Sequence, residues 1–123
     1  MILGIGIDLV ETARLAEALK RHGGRFATRV FRPEEQRYCE QMARQVVHYA
    51  ARFAAKEAAW KALGLDGGLP WQEIEVTRLP SGAPQLVLHG RTLDRARARG
   101  LTHLHLSLSH TDSLATAMVV AEQ

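Results

Sequence analysis

Apolar and polar positions along the chain fall into blocks of different period, and the blocks predict its elements. Residues 2–10, ILGIGIDLV, are an almost unbroken apolar run containing Gly4 and Gly6, which predicts a buried strand with a close backbone neighbour. From about Thr12 to His22, Leu15, Ala18 and Leu19 share one helical stripe, and Gly23-Gly24 supplies a stop. Arg25–Phe31 is ambiguous, with a short helix as one reading. Pro33 at a first helical position, followed by Glu34 and Glu35, opens a helix to about Met42. The longest helix is predicted from Val46 to Leu63, ended by Gly64. LDGGLPW reads as a loop. Glu73–Leu79 alternates, PSGAP turns, and Gln85–His89 alternates back, which predicts a hairpin. Thr92–Arg99 predicts a short helix stopped by Gly100. His103–Ser109 alternates strictly, with Leu104, Leu106 and Leu108 on one face, and Ser113–Ala121 is the last strand. The order β-α-α-α-β-β-α-β-β predicts an α+β fold, a mostly antiparallel sheet packed with one long and several short helices, in a single domain over residues 1–123.

Composition narrows the class. The 123 residues are 46% apolar and 24% charged, the profile of a globular chain and not of a disordered or fibrous one. Cys39 is the only cysteine, so neither an intrachain disulfide framework nor a multi-cysteine zinc module can form. No apolar stretch approaches a membrane span, and MILGIGIDLV lacks the basic start of a signal peptide; a cytoplasmic, reducing setting is expected, with no membrane partner. Sixteen Lys+Arg against thirteen Asp+Glu give a net charge of +3. Most of these cations are arginines, whose fork suits phosphate and carboxylate. Nucleic acid, an acidic protein, a phosphorylated metabolite or simple solubility would each account for that surface.

Three places break the pattern. In the long helix, Val46, Tyr49, Ala50, Phe53, Ala54 and Trp60 share an arc, and Glu57 and Lys61 fall in its middle. An ordinary i,i+4 pair explains their spacing; a carboxylate on a core-facing arc further calls for a cation, a metal or a retained proton. Asp8 is the first charge after seven non-polar residues. It reads either as a turn or helix-capping aspartate, or as a strand-end carboxylate that with Glu57 forms a two-oxygen ligand set for Mg²⁺. The strand HLHLSLSHT puts His103, His105, Ser107 and Ser109 on the face opposite its leucines, a pattern shared by a solvated and a subunit-facing sheet.

GIGIDLVET, ARFAAKEAAWKALG and HLSLSHTDSLATAMVV together resemble the holo-acyl-carrier-protein synthases, the small 4′-phosphopantetheinyl transferases, in order and spacing across nearly the whole chain. The motif core is Arg52-Phe53-Ala54-Ala55-Lys56-Glu57-Ala58-Ala59-Trp60-Lys61-Ala62. The resemblance implies transfer of 4′-phosphopantetheine from coenzyme A to a serine of acyl carrier protein, with release of adenosine 3′,5′-bisphosphate. It implies Mg²⁺ on Asp8 and Glu57, and a homotrimer with active sites between subunits. Coenzyme A contacts would fall to Arg52, Lys61, Gly64, the turn Ser81, Gly82, Ala83 and Pro84, and His110-Thr111. The acidic carrier protein would dock on first-helix positions such as Arg14 and Arg21. Three departures stand out. Gly64 is followed by Leu65-Asp66-Gly67-Gly68 where many members have Gly-Thr-Gly. Ala83 occupies the place of a long basic residue. Asp112 follows Thr111 instead of lying next to the histidine.

The residue chemistry is compatible with this reading. Attack on a diphosphate needs its charge neutralised, which a metal and Lys61 would provide, and the serine proton must go to Glu57, a metal-bound water or His110. Arg14, Arg21 and Arg25, spaced i, i+7 and i+11, form one basic stripe where the helix persists; it would steer an acidic partner or simply be solvated. A Mg²⁺-dependent phosphohydrolase would use the same carboxylates with a different acceptor. A basic nucleic-acid-binding module is poorly served by only seven aromatics, so no nucleic acid is expected.

Overall fold

A computed structural model describes residues 1–123, apart from the side chain of His22. The chain forms β1 (Ile2–Glu11), α1 (Thr12–Lys20), α2 (Arg25–Val30), α3 (Pro33–Gln41), α4 (Gln45–Leu63), β2 (Ile74–Arg78), β3 (Pro84–Leu88), α5 (Gly90–Ala98), β4 (His103–His110) and β5 (Leu114–Glu122). A 3₁₀ turn, Arg21–Gly24, separates α1 from α2, and another, Trp71–Glu73, leads into β2. The fold is α+β. One antiparallel sheet has the order β1-β5-β4, and β2 and β3 form a separate hairpin. Among the described residues no helix is long and apolar enough to cross a membrane.

Small residues decide how α4 lies on the sheet. A Cβ added at Gly4 would stand 2.0 Å from the Ala62 carbonyl oxygen, and one at Gly6 would stand 1.9 Å from that of Ala58. Only glycine lets β1 approach the helix backbone this closely. Facing them, β5 turns Ala115, Ala117, Val119 and Ala121 inward, all buried. Glycine and alanine therefore bring α4 down onto the sheet, and the close approach expected at Gly4 and Gly6 is present.

The expectation of a fully buried first strand is corrected. Gly6 and Val10 face α4, but Ile5, Ile7 and Leu9 alternate to the outer face and are about two-thirds exposed in the single chain. Met118, paired with Ile7, extends this stripe onto β5, while His103, His105, Ser107 and Ser109 of β4 continue the same face as a polar border.

The reading of α4 is corrected as well. Tyr49, Ala50 and Ala54 of the expected arc are buried, but Phe53, Glu57 and Trp60 of the same arc are half-buried, and the Lys61 side chain is 53% exposed. The deeply buried side carries Ala51, Ala55, Ala58, Ala59 and Ala62, and with them Arg52 and Lys56. Burial therefore runs round most of the helix, with alanine on the side that packs closest to the sheet and Phe53 and Trp60 at the rim.

Lys56 is entirely buried. Its ammonium donates to the Val30 carbonyl (2.7 Å), Glu35 Oε1 (2.7 Å) and the Trp71 carbonyl (2.9 Å). Glu35, equally buried, also accepts from the Arg32 amide (2.7 Å) and the Val76 amide (2.8 Å). One ion pair thus ties α2, α3, α4 and the β2–β3 hairpin together.

Candidate active site

Asp8 is not a helix cap. It sits within β1 opposite Ala117, α1 begins after Glu11 without a side-chain cap, and the Asp8 carboxylate turns toward α4. There Asp8 and Glu57 line one open cleft of about 430 Å³, floored by Leu15, Phe26 and Phe53 and edged by Arg14. Lys61 donates to the Ile7 carbonyl at 2.9 Å and lies 3.4 Å from Asp8 Oδ1. Partial burial, and then the neighbouring Asp8 carboxylate, push the Glu57 carboxyl above the usual range, with Lys61 opposing them. Asp8, Glu11 and Glu57 line the cleft against Arg14 and the rim ammonium of Lys61, which leaves one negative charge in excess, suited to a divalent cation. Among the described residues no cluster of three or more His, Cys, Asp or Glu side chains is arranged to hold a metal. Two protein oxygens nevertheless fit Mg²⁺, which keeps waters and takes substrate phosphate oxygens for its other ligands.

The remaining sequence-predicted residues lie elsewhere. Arg52, about 140° round α4 from Glu57, lines a second cleft of about 300 Å³ with His48, Arg78, Pro84 and His110. Arg52 is only 3% exposed, and its Nε meets no hydrogen-bond partner among the described residues. No carboxylate pairs with it among those residues; Glu35 is held by Lys56, and Glu75 lies 2.8 Å from His89 Nε2. What supports the guanidinium is the Tyr38 ring, 4.1 Å from Arg52 Cζ and 4.9 Å from Arg78 Cζ. A buried arginine without an anion is unfavourable unless a ligand supplies one.

Ser81, Gly82 and Ala83 form the exposed tip of the β2–β3 hairpin, closed by Gly82 N–H to the Leu79 carbonyl at 2.8 Å, with Gly82 at φ 90°. Arg78, directly across from Pro84 in the hairpin register, brings a guanidinium to the cleft beside the turn that Ala83 leaves uncharged. Thr111 caps the β4–β5 turn, its hydroxyl accepting from the Leu114 amide at 3.1 Å. Asp112 is almost fully exposed and pairs with Arg44. Gly64 ends α4 in the left-handed conformation, φ 64°. Its N–H is used by the Trp60 carbonyl and its carbonyl accepts from Arg99 at 2.9 Å, so both its backbone polar groups are engaged within the chain.

The basic stripe is corrected. The α-helix ends at Lys20, and the 3₁₀ turn with Gly24 at φ 87° resets the direction before Arg25, so Arg14, Arg21 and Arg25 are all exposed but not on one helical face. Sequence reasoning missed His48, Arg78 and the Lys56–Glu35 pair. A signal for the pair was available, since Lys56 is flanked by Ala54-Ala55 and Ala58-Ala59, and small residues on every side mark a helix packed all round.

Comparison with known proteins decides the family. Residues 4–119 match the 4′-phosphopantetheinyl transferase superfamily. The chain belongs to that superfamily. It is 48% identical over 124 residues to the holo-[acyl-carrier-protein] synthase of Koribacter versatilis, covering 99% of both chains. Its structure is similar to that of holo-[acyl-carrier-protein] synthase from Neisseria meningitidis, with a TM-score of 0.89, 35% identity and all of both chains covered. It is also similar to the Helicobacter pylori synthase in complex with coenzyme A, with a TM-score of 0.84, 32% identity, and 96% of this chain and 99% of that one covered. The resemblance carried by the three sequence segments is thereby borne out, as is the fold of this phosphopantetheinyl transferase.

Proposed function

We propose that this phosphopantetheinyl transferase is a holo-[acyl-carrier-protein] synthase that moves the 4′-phosphopantetheine of coenzyme A onto a serine of apo acyl carrier protein and releases adenosine 3′,5′-bisphosphate. The observation that carries this reading is the pair of clefts of opposite sign, Asp8 and Glu57 in one, Arg52, Arg78 and His110 in the other. The acidic cleft suits a metal-bound diphosphate and the basic one a nucleotide phosphate. Asp8 and Glu57 would hold Mg²⁺, which when bound supplies charge neutralisation to the diphosphate. Lys61, held at the cleft rim by the Ile7 carbonyl, offers its ammonium to the phosphate that leaves with the nucleotide. The serine oxygen forms a bond to the pantetheine-side phosphorus as the bond to the nucleotide-side oxygen breaks. Glu57 or a water beside it accepts the serine proton. His110 belongs to the basic cleft and serves binding.

The two clefts share no lining residue on one chain, which favours a site completed by another copy. The uncovered stripe of Ile5, Ile7, Leu9 and Met118 supports such assembly, and a homotrimer is the form in which we expect it. Exposed Arg14 beside the acidic cleft, with Arg21 and Arg25 beyond it, would receive the acidic carrier protein. The unpaired, buried Cys39 is compatible with a reducing, cytoplasmic setting.

Intact-mass analysis of apo carrier protein incubated with the enzyme, Mg²⁺ and coenzyme A tests the reading. A gain of one phosphopantetheine per serine is expected, matched by adenosine 3′,5′-bisphosphate. Release of phosphate without mass gain would establish a phosphohydrolase instead.

A further inference from the structure

His48 lies one turn before Arg52 on α4, half-buried, in the wall of the basic cleft. Its ring meets Tyr38 of α3 at 5.8 Å, nearly edge-on, and faces His110 of β4 at 6.1 Å. Arg52 approaches it from α4, Arg44 from the residue just before that helix and Arg78 from β2; Arg44 alone of these is paired with a carboxylate, that of Asp112. The cleft therefore gathers two arginines and two histidines around an opening with no anion of its own among the described residues. Arg52, whose buried Nε has no hydrogen-bond partner among the described residues, lines this opening, so one of its cations is left unsatisfied in the free chain.

The charge pattern fixes how His48 responds to such a ligand. In the free protein, burial first and then Arg52, His110, Arg78 and Arg44 hold its imidazole below the usual histidine range, which favours the uncharged ring. A phosphate monoester carries close to two negative charges near neutral pH. Its entry reverses the local field and favours the imidazolium, now with an acceptor to which both ring nitrogens can donate in turn.

We infer that His48 is a recognition residue for the phosphate monoester of coenzyme A, taking one proton from solvent as that phosphate enters and joining Arg52 and Arg78 as its third cation. This rests on the reading of the basic cleft given under Proposed function. No covalent bond changes; the proton comes from buffer and returns to it on release. Nucleotide affinity therefore falls as pH rises between the free and bound values of His48.

Calorimetric titration of the assembled enzyme with adenosine 3′,5′-bisphosphate, at pH 7 in two buffers of different ionisation enthalpy, counts the protons. The wild type should take up at least ~0.3 proton more than His48→Phe, which keeps the ring against Tyr38, and more than His48→Gln, which keeps a polar group but cannot become a cation. 3′-Dephospho-coenzyme A, which lacks the monoester, should give no such excess. Between pH 8 and 6.5 the wild-type Kd should tighten ~3–10-fold more than that of either variant. Equal proton counts in wild type and both variants overturn the role of His48 while leaving the cleft assignment intact. Equal uptake with the dephospho compound overturns the monoester as its partner. Failure of the wild type to bind either nucleotide removes the cleft assignment, and this inference with it.

Discussion

The buried pair Lys56–Glu35 makes the sharpest demand on stability, and replacing Lys56 by Met tests it. The substitution keeps an unbranched chain of similar length but deletes three hydrogen bonds, to Val30, Glu35 and Trp71. Glu35 would retain the Arg32 and Val76 amides yet lose its only cation, in a place with no solvent access. Removing one partner of such a pair costs ~3–5 kcal/mol, because the other charge stays buried. Against a total stability of ~5–15 kcal/mol for a domain, that loss is large. Glu35→Gln should cost a similar amount, since it strands the Lys56 ammonium. The double variant should lose less than the sum by at least ~1–2 kcal/mol, because neither charge remains. Urea unfolding at one fixed protein concentration, followed by Trp fluorescence, measures all three; the concentration is fixed because the proposed assembly would add to apparent stability. A loss below ~1 kcal/mol for Lys56→Met, or simple additivity in the double variant, would refute the argument that this pair clasps α2, α3, α4 and the hairpin.

How much of this was legible beforehand depends on what each element packs against. Apart from the short helix Arg25–Val30, which the pattern left ambiguous, the element order and nearly every boundary follow from periodicity and stop residues, because turns at Gly24, Gly64, Gly82 and Gly100 need positive φ and the sequence spells them out. Asp8 and Glu57 were found because each interrupts an apolar pattern. The burial of α4 was read only in part: Tyr49, Ala50 and Ala54 are core as expected, but hydrophobic bulk marks a core only where there is room for it. Against the glycines of β1 and the alanines of β5 there was none, so alanines took the interior and Phe53 and Trp60 moved to the rim. The exposure of Ile5, Ile7 and Leu9 was hidden for another reason: an apolar run reads as buried whether its cover is the same chain or another. His48 and Arg78 could not be seen at all, since only the fold brings Arg78 of β2 to Tyr38 and His110 of β4 to His48.

The other expectations bear on the two clefts and the outer face. Because the folded Glu57 carboxyl binds its proton more tightly than the usual 4.5, stability should fall as pH rises through the window just above that value. Glu57→Gln should flatten this slope, raise the melting temperature at neutral pH and abolish the stabilisation that Mg²⁺ gives the wild type; a Mg²⁺ shift retained in the variant would refute the metal assignment. Arg52→Met should raise the KM for coenzyme A at least ~10-fold without lowering the melting temperature of the free enzyme, since it removes a buried charge that lacks a partner. Unchanged kinetics would remove Arg52 from the site. Reversing Arg14 and Arg21 to Glu should raise the carrier-protein KM ~3–10-fold, an effect that fades as salt rises, and leave the coenzyme A KM in place. Carrier kinetics unaffected at low salt would move docking elsewhere. The last expectation joins assembly to catalysis. Ile7 and Asp8 are neighbours on β1 and point to opposite faces, Ile7 outward at 61% exposure and Asp8 toward α4. A charge at position 7 therefore disturbs the outer face without entering the acidic cleft. If a second copy covers that face and completes the site, Ile7→Lys should shift sedimentation to the monomer and lose transfer activity in proportion, both returning at high protein concentration. A fully active Ile7→Lys monomer would mean that one chain holds the whole site, and that the two clefts act without a partner.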